Sequence, residues 1–440
     1  MTVTSMPSED LIRRFRTAVA NELTNRSASL RLSAGRALDR DDQTMLAREL
    51  INEQLEAYAG ECLGRGDPSL TPQEEEALAT AVYDRIFHLG RLQPLIDDER
   101  IQNIIANGFD QVWLEYDDGT KVAGPPIATS NVEMIELLRE VGRRYGLSER
   151  EFNPSRPSLN LQLPDGSRLF AVAWVCDRPC LAIRRHRFMK VTLDDLVRMR
   201  SLDEPVRDFL AAAVRARKQL IIAGATGAGK TTLLRALASE IPPEERIVTI
   251  ETELELGLDR FPELHPDCVA LEAREANVEG VGSVTAAELV RMSLRMNPDR
   301  CLVGEVRGEE VIPMLNAMSQ GNEGSMCTVH SDSSGTVFNK LALYAMQAPE
   351  RLPIEATALL AAAAIDLVVF IAKKGNDRYV ASVRQVVSAS GPTVVTNELF
   401  APGPDGRALP AMPVPIDLAE ELAMCGWDVD AHRHSVGWSR

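Results

Sequence analysis

The most explicit chemistry in the sequence lies in Gly224-Ala225-Thr226-Gly227-Ala228-Gly229-Lys230-Thr231, followed by Thr232. Glycines at 224, 227 and 229 let the backbone turn its N–H groups toward one point, where a Cβ would collide with phosphate. Lys230 supplies a point charge to the β- and γ-phosphates of a nucleotide, and the Thr231 hydroxyl can ligate Mg2+. The run Leu220-Ile-Ile-Ala before the loop reads as a strand. Thr232-Leu-Leu-Arg-Ala-Leu-Ala after it reads as a helix, whose N-terminus favours an anion. A plain Gly-rich turn between strand and helix explains the glycines but not Lys230-Thr231. The pattern is that of a Walker A phosphate loop, with ATP and Mg2+ as the implied cofactors.

Such a loop also needs a metal-orienting acid and a group that activates water. Cys301-Leu-Val-Gly-Glu305-Val-Arg307 is a short apolar strand that ends in a carboxylate, with Arg307 just beyond. Arg246-Ile-Val-Thr-Ile-Glu251 ends another strand in the same way, and Glu253 and Glu255 follow. Acids just past a strand are often only solvated turn residues, but two such strand ends in one phosphate-loop domain favour function. His330 closes a further strand, Met326-Cys-Thr-Val-His; it is either a buried, satisfied histidine or a phosphate sensor. Arg184, Arg185, His186 and Arg187 end a strand over 181–187, as a solvated edge or as cations that reach a nucleotide phosphate across a cleft.

The elements that hold these residues can be read from periodicity. From about 191 to 385 strands and helices alternate, the signature of a parallel sheet with covering helices. Strands are expected at 218–223, 246–251, 301–303 and 326–330, with helices at 230–240, 284–296 and 311–319. Residues 356–364 read as a buried helix running into a strand at 367–372. From 73 to 190 the pattern is mixed. Thr71-Pro72-Gln73-Glu74 opens a helix, strands are expected at 101–106 and 111–116, and a helix at 131–145. Leu159–Leu163 and Arg168–Val172 then flank a Pro-Asp-Gly turn as a hairpin. The expected organisation is a helical, partly mobile extension (1–72), a mixed α/β domain (73–190), an α/β ATPase domain (191–400) and a Pro-rich C-terminal tail (401–440).

Bulk properties bound the function. A length of 440 residues suits two or three domains. A formal charge of −16 disfavours a nucleic-acid coat or a membrane-surface binder. Seven scattered cysteines (Cys62, Cys176, Cys180, Cys268, Cys301, Cys327 and Cys425) complete no zinc set and read as free thiols in a reducing compartment. Residues 1–16 contain no apolar run, and the apolar stretch 356–372 is shorter than the ~20 residues a bilayer needs. The expected location is cytoplasmic, with any membrane work done through partners.

With these segments in order, the chain resembles the type II/IV secretion ATPase superfamily (VirB/GspE-like), and within it the CpaF/TadA branch of tight-adherence (Flp) pilus assembly ATPases. The likeness covers roughly residues 80 to 400. It shows in Leu89-Gly-Arg-Leu-Gln-Pro-Leu-Ile, Ile105-Ala-Asn-Gly, Leu163-Pro-Asp-Gly-Ser-Arg168 and Ala182-Ile-Arg-Arg185. It continues through Thr249-Ile-Glu251 with Glu255-Leu256, Leu294-Arg-Met-Asn-Pro-Asp299, Val303-Gly-Glu305-Val-Arg-Gly308 and Gly324-Ser-Met-Cys-Thr-Val-His330. The resemblance implies a RecA-like motor domain behind a mixed α/β domain, nucleotide bound between them, and a homo-hexamer acting with inner-membrane platform proteins of a pilus or secretion machine. It implies Glu251 as general base, Glu305 as holder of the Mg2+-bound water, and His330 as a γ-phosphate contact. Arg307 joins this catalytic set, and Arg168, Arg184 and Arg185 match arginines that reach the phosphates.

Two positions depart from the family pattern. Thr252 stands where an Asp usually follows the first Glu, and Asn322 stands where an earlier His is usual. An active but slow ATPase is the expectation. A nucleic-acid translocating conjugation motor and a weakly hydrolysing scaffold are the competing readings.

Overall fold

The computed structural model describes residues 8–34, 40–87, 89–116, 118–145, 152–185, 190–274, 276, 281–375 and 377–430. The chain divides into two compact units, residues 1–187 and 188–440.

The first unit opens with three helices, α1 (Glu9–Ala34), α2 (Arg40–Arg65) and α3 (Pro72–Phe87). A capping box starts α3: Thr71 Oγ1 accepts from Glu74 N, and the Glu74 carboxylate accepts from Thr71 N. Sequence spacing assigns α3 to the mixed domain. In the structure its Leu78 and Val82 share one core with Ile12, Phe15 and Val19 of α1 and Leu50 and Ile51 of α2. The apolar stripe of α3 has its match in those two helices, so a boundary at 72 would divide a core.

The rest of this unit comprises α4 (Gln93–Asp97), β1 (Ile101–Asn107), β2 (Val112–Tyr116), β3 (Lys121–Gly124), α5 (Asn131–Tyr145), β4 (Ser158–Gln162), β5 (Arg168–Val172) and β6 (Cys180–Arg184). The strands form an antiparallel sheet in the order β3-β2-β1-β6-β5-β4. Met134, Leu138 and Val141 of α5 pack on one face of it, against Ile104, Leu114, Leu159 and Leu169. The strand expected over 181–187 is shorter, and His186 and Arg187 lie outside the described residues.

The second unit contains α6 (Leu193–Arg198), α7 (Glu204–Arg215), β7 (Leu220–Gly224), α8 (Lys230–Ala238), β8 (Ile247–Glu251), β9 (Cys268–Glu272), α9 (Ala286–Ser293), β10 (Arg300–Val306), α10 (Val311–Ser319), β11 (Met326–His330), α11 (Val337–Gln347), α12 (Ile354–Ala364), β12 (Leu367–Lys374), β13 (Asp377–Ser390), β14 (Thr393–Pro402), β15 (Ala408–Pro410) and α13 (Ile416–Met424). Its nine strands run in the order β15-β14-β13-β12-β7-β11-β10-β8-β9. The six from β12 to β9 are parallel, and β13 to β15 add an antiparallel extension.

Parallel strands covered on both faces read as unbroken apolar runs, and β7 is fully buried along its length. Its Leu220 and Ile222 face a core with Phe209 of α7 and Leu233 and Leu237 of α8. Ile221 and Ala223 face the opposite core, with Leu289, Leu315, Leu341 and Ala361 of α9 to α12. A fully buried Arg300 at the start of β10 pairs bidentately with Glu245 (2.8 and 2.9 Å) and donates to Val214 O at 2.8 Å.

Residues 401–440, expected as a tail, contribute to the same core up to the end of the described residues. Ala408, Leu418, Leu422 and Trp427 pack with Phe209, whose ring lies 5.1 Å from Phe400 and 5.4 Å from Trp427. The prolines conceal a short amphipathic helix, α13. Trp438 lies outside the described residues.

Candidate functional site

The order β7-β11-β10-β8 brings four strand ends together at one edge of the sheet. Gly224, His330, Glu305 and Glu251 stand at or near those ends, with His330 in register with Gly224. Chemistry that spacing leaves scattered over more than a hundred residues is thus collected beside the phosphate loop.

The loop has the backbone that its glycines permit. Gly227 and Gly229 have φ of +69° and +99°, in the left-handed region, and Gly229 is the N-cap of α8. The first intrahelical bond runs from Leu233 N to Gly229 O, so the N–H groups of Lys230, Thr231 and Thr232 project from the helix start toward the loop. Gly224 has a different reason from the one its motif suggests. A Cβ there would lie 2.5 Å from Ile371 O on β12, so the collision is with the protein backbone and not with a ligand.

Lys230 is 7% exposed, and burial pulls its pKa down while nearby Glu305 opposes that. Its Nζ donates to Ala225 O at 3.2 Å and lies 3.1 Å from His330 Nδ1 and 3.9 Å from Glu305 Oε1. His330 Nε2 lies 2.5 Å from the same Glu305 oxygen. Burial, reinforced by Lys230 and Arg307, lowers the pKa of His330 against the pull of Glu305. The ammonium is a pure donor and the carboxylate a pure acceptor. That assigns the neutral tautomer, with Nδ1 accepting from Lys230 and the Nε2 proton donated to Glu305. The Arg307 guanidinium grips the other Glu305 oxygen. Lys230, His330, Glu305 and Arg307 therefore form one contiguous network.

Glu251 is set differently. It is 3% exposed, its Oε2 accepts from Glu255 N (2.8 Å) and Leu256 N (2.9 Å), and its buried Oε1 has no hydrogen-bond partner. Burial raises its pKa to about 7 against the two N–H donors. Gly304 makes room for it, because a Cβ at 304 would lie 2.8 Å from Glu251 Cγ. A carboxyl poised near neutrality with one uncommitted oxygen has the properties of a general base.

A set of three or more His, Cys, Asp or Glu able to hold a metal is absent among the described residues. Mg2+ takes one or two protein oxygens and completes its shell with water and substrate phosphate. Thr231 and Glu305 are the protein oxygens that would hold it. Thr231 Oγ1 also meets Glu255 Oε2 at 3.5 Å, which adds a second carboxylate to that side.

The two departures fall in different places. Thr252 is exposed, directly after Glu251. Asn322 is remote from the loop. Its Nδ2 donates to Ala317 O, and its main-chain carbonyl accepts from Gln219 Nε2 and Ser325 Oγ, so it closes the end of α10 before β11 begins. A strand of five residues spans ~13 Å, which puts Asn322 at the opposite edge of the sheet from His330.

In the first unit, Arg168 and Arg184 are direct partners across β5 and β6 and share one face. Arg185 continues the ladder from its N–H to Gln102 O, and its guanidinium donates to Asp98 O at 2.7 Å.

Sequence reasoning missed Glu310 and Arg378. Glu310, the N-cap of α10, is buried and accepts from the backbone N–H groups of Arg307 and Gly308, which fixes the turn after Glu305. An acid immediately before a helix start was its available signal. Arg378 reaches the phosphate loop from β13, and nothing local to either segment announces that contact.

A Walker A loop at the edge of a doubly covered parallel sheet, near a strand-end carboxylate, a histidine and a second, buried carboxyl, defines a P-loop ATPase with a RecA-like motor unit. Residues 89–398 match the family model described as type II/IV secretion system protein. The chain belongs to that family and is an ATPase. It is 34% identical over 313 residues to a protein of Mycobacterium tuberculosis named for conjugal transfer, covering 69% of this chain and 85% of that one. It is 31% identical over 340 residues to the type IV secretion system protein VirB11 of Brucella suis, covering 70% and 92%. The crystal structure of the Brucella suis VirB11 ATPase in complex with sulphate matches at 30% identity and a TM-score of 0.35, covering 68% of this chain and 96% of that one. Among the described residues no helix is long and apolar enough to cross a membrane.

Proposed function

We propose that this chain is a cytoplasmic, hexameric ATPase that powers assembly of a pilus or a secretion machine through inner-membrane platform proteins, and that it belongs to the CpaF/TadA branch. The observation that carries the hydrolytic part is Glu251: buried, raised to about 7, with one carboxylate oxygen uncommitted beside the loop. In this reading Glu251 takes the proton of the attacking water. Lys230 and the N–H groups of residues 225–232 hold the phosphates, and His330 contacts the γ-phosphate. Thr231 and Glu305 orient Mg2+, which neutralises phosphate charge when bound. Arg307 adds positive charge at the same edge. The domain assignment follows the expected one, with α3 joined to the helical extension and β15 and α13 joined to the motor.

A nucleic-acid motor has one observation in its favour, the mycobacterial relative named for conjugal transfer. The charge of −16 opposes it. Mg·ATP turnover by the purified chain, with and without double-stranded DNA, separates the two. Turnover indifferent to DNA is expected, and stimulation by DNA would favour the nucleic-acid motor. Particle mass with bound nucleotide tests the ring; a monomer at micromolar concentration would contradict it.

A further inference from the structure

Two cations from the far side of β7 press on the phosphate loop. Ile371 of β12 pairs with Gly224, so Ala372, Lys373 and Lys374 run on past the point where β7 turns into the loop. There Lys373 is the direct cross-strand partner of Arg378. Arg378 Nε donates to Gly227 O at 2.9 Å, and its Cδ lies 3.4 Å from where a Cβ on Gly229 would stand. Lys373 Nζ lies 3.7 Å from the equivalent point on Gly227. Like charges directly opposite one another across a ladder repel. The pair is tolerated where a carbonyl dipole, or an anion, faces both.

We propose that Arg378, with Lys373 beside it, is a positioning residue for the phosphate loop, holding the Gly227–Ala228 peptide in the orientation that receives nucleotide phosphate. The proposal rests on the reading of this loop as the nucleotide site. In a planar trans peptide the C=O and the following N–H point in opposite directions. Drawing Gly227 O toward β13 therefore sends Ala228 N–H to the other side, the interior of the loop. Ala225 O receives it there at 3.2 Å and also receives Lys230 Nζ at 3.2 Å. The Ala228 N–H and the Lys230 ammonium thus share one carbonyl inside the loop, so the orientation of the Gly227–Ala228 peptide is tied to the position of Lys230. Without Arg378 the peptide is free to rotate, and the cradle must be ordered by the ligand itself.

The test is the affinity of a ribose-labelled fluorescent ADP, with kcat and KM for Mg·ATP, in full-length variants. Arg378→Gln is expected to weaken ADP binding by roughly 3–10-fold, the worth of one partly exposed charge-assisted hydrogen bond. Its kcat at saturating ATP should stay within about twofold, because Glu251, Glu305 and His330 are untouched. Its melting temperature should not move, since Arg378 is exposed. Arg378→Lys, which keeps a charged donor, is expected to recover part of the affinity. Successive residues on a strand face opposite ways, so Lys374→Gln, which removes the same charge one position from Lys373, should leave ADP affinity unchanged. Lys230→Ala, which tests the nucleotide site itself, should lose it. Unchanged affinity in Arg378→Gln while Lys230→Ala loses binding would overturn the proposal alone. An equal loss in Lys374→Gln, or a fall in kcat with affinity intact, would also overturn it. Full affinity in Lys230→Ala would overturn the nucleotide reading and the proposal with it.

Discussion

The environment of Glu251 sets a pH dependence that can be worked from its burial. Its carboxyl moves from an ordinary 4.5 to about 7, with burial as the largest cause. If hydrolysis needs the carboxylate, about one-tenth of the enzyme is active at pH 6 and about nine-tenths at pH 8, so kcat/KM rises roughly tenfold between them. The same shift appears in stability. The raised pKa stabilises the folded state fully below 4.5, and that contribution is lost as pH rises through 7. The corresponding free energy is on the order of 3 kcal/mol. Glu251→Gln removes the titration, so wild type should lose about that much stability relative to the variant between pH 4 and pH 8. Steady-state phosphate release from pH 5.5 to 8.5 and urea unfolding of both proteins measure the two effects. A flat rate profile from pH 6 to 8, or a stability difference that does not change with pH, would show that Glu251 is not a buried base titrating near 7.

Three further outcomes follow from the packing. Arg300→Met leaves the Glu245 carboxylate with only Arg217, at 3.2 Å, in place of its bidentate partner, so the cost should fall below the roughly 3–5 kcal/mol of a fully buried broken pair but stay above about 1 kcal/mol; an unchanged denaturant midpoint would contradict this. Gly224→Ala places a methyl group 2.5 Å from Ile371 O, and overpacking of that kind costs about 1–3 kcal/mol. A lowered melting temperature should appear without any ligand, whereas a defect seen only with nucleotide would restore the phosphate explanation. Asn322→His, which supplies the residue usual in the family, should leave turnover within about twofold because position 322 lies at the opposite edge of the sheet; a large gain would show that it acts on the site.

What could be read from the sequence was local. The phosphate loop declared itself through adjacent glycines, Lys230 and the flanking strand and helix, and the structure reproduces that order. Glu251, Glu305 and His330 were legible because each ends an apolar run, a feature visible within a few residues. Contacts made by sheet order were not legible. Gly227 and Arg378 are 151 positions apart and meet only because β12 lies beside β7. The reason for Gly224 and the space that Gly304 gives Glu251 are likewise cross-strand facts. Periodicity identified α3 but not its partners, since the stripe of Leu78 and Val82 does not say which surface it covers. Five prolines between 402 and 415 masked the short amphipathic helix that buries Leu418 and Leu422. The departure at Asn322 carried weight as a motif mismatch and lost it once Asn322 proved to close α10.

Hydrolysis by this site is decided by Mg·ATP turnover of the wild-type chain, Glu251→Gln and Lys230→Ala, measured side by side. Wild type should turn over steadily, Glu251→Gln should lose at least about a hundredfold with nucleotide still bound, and Lys230→Ala should lose both turnover and tight binding. Wild-type turnover indistinguishable from that of Glu251→Gln would contradict this and leave a nucleotide-binding scaffold in place of a motor.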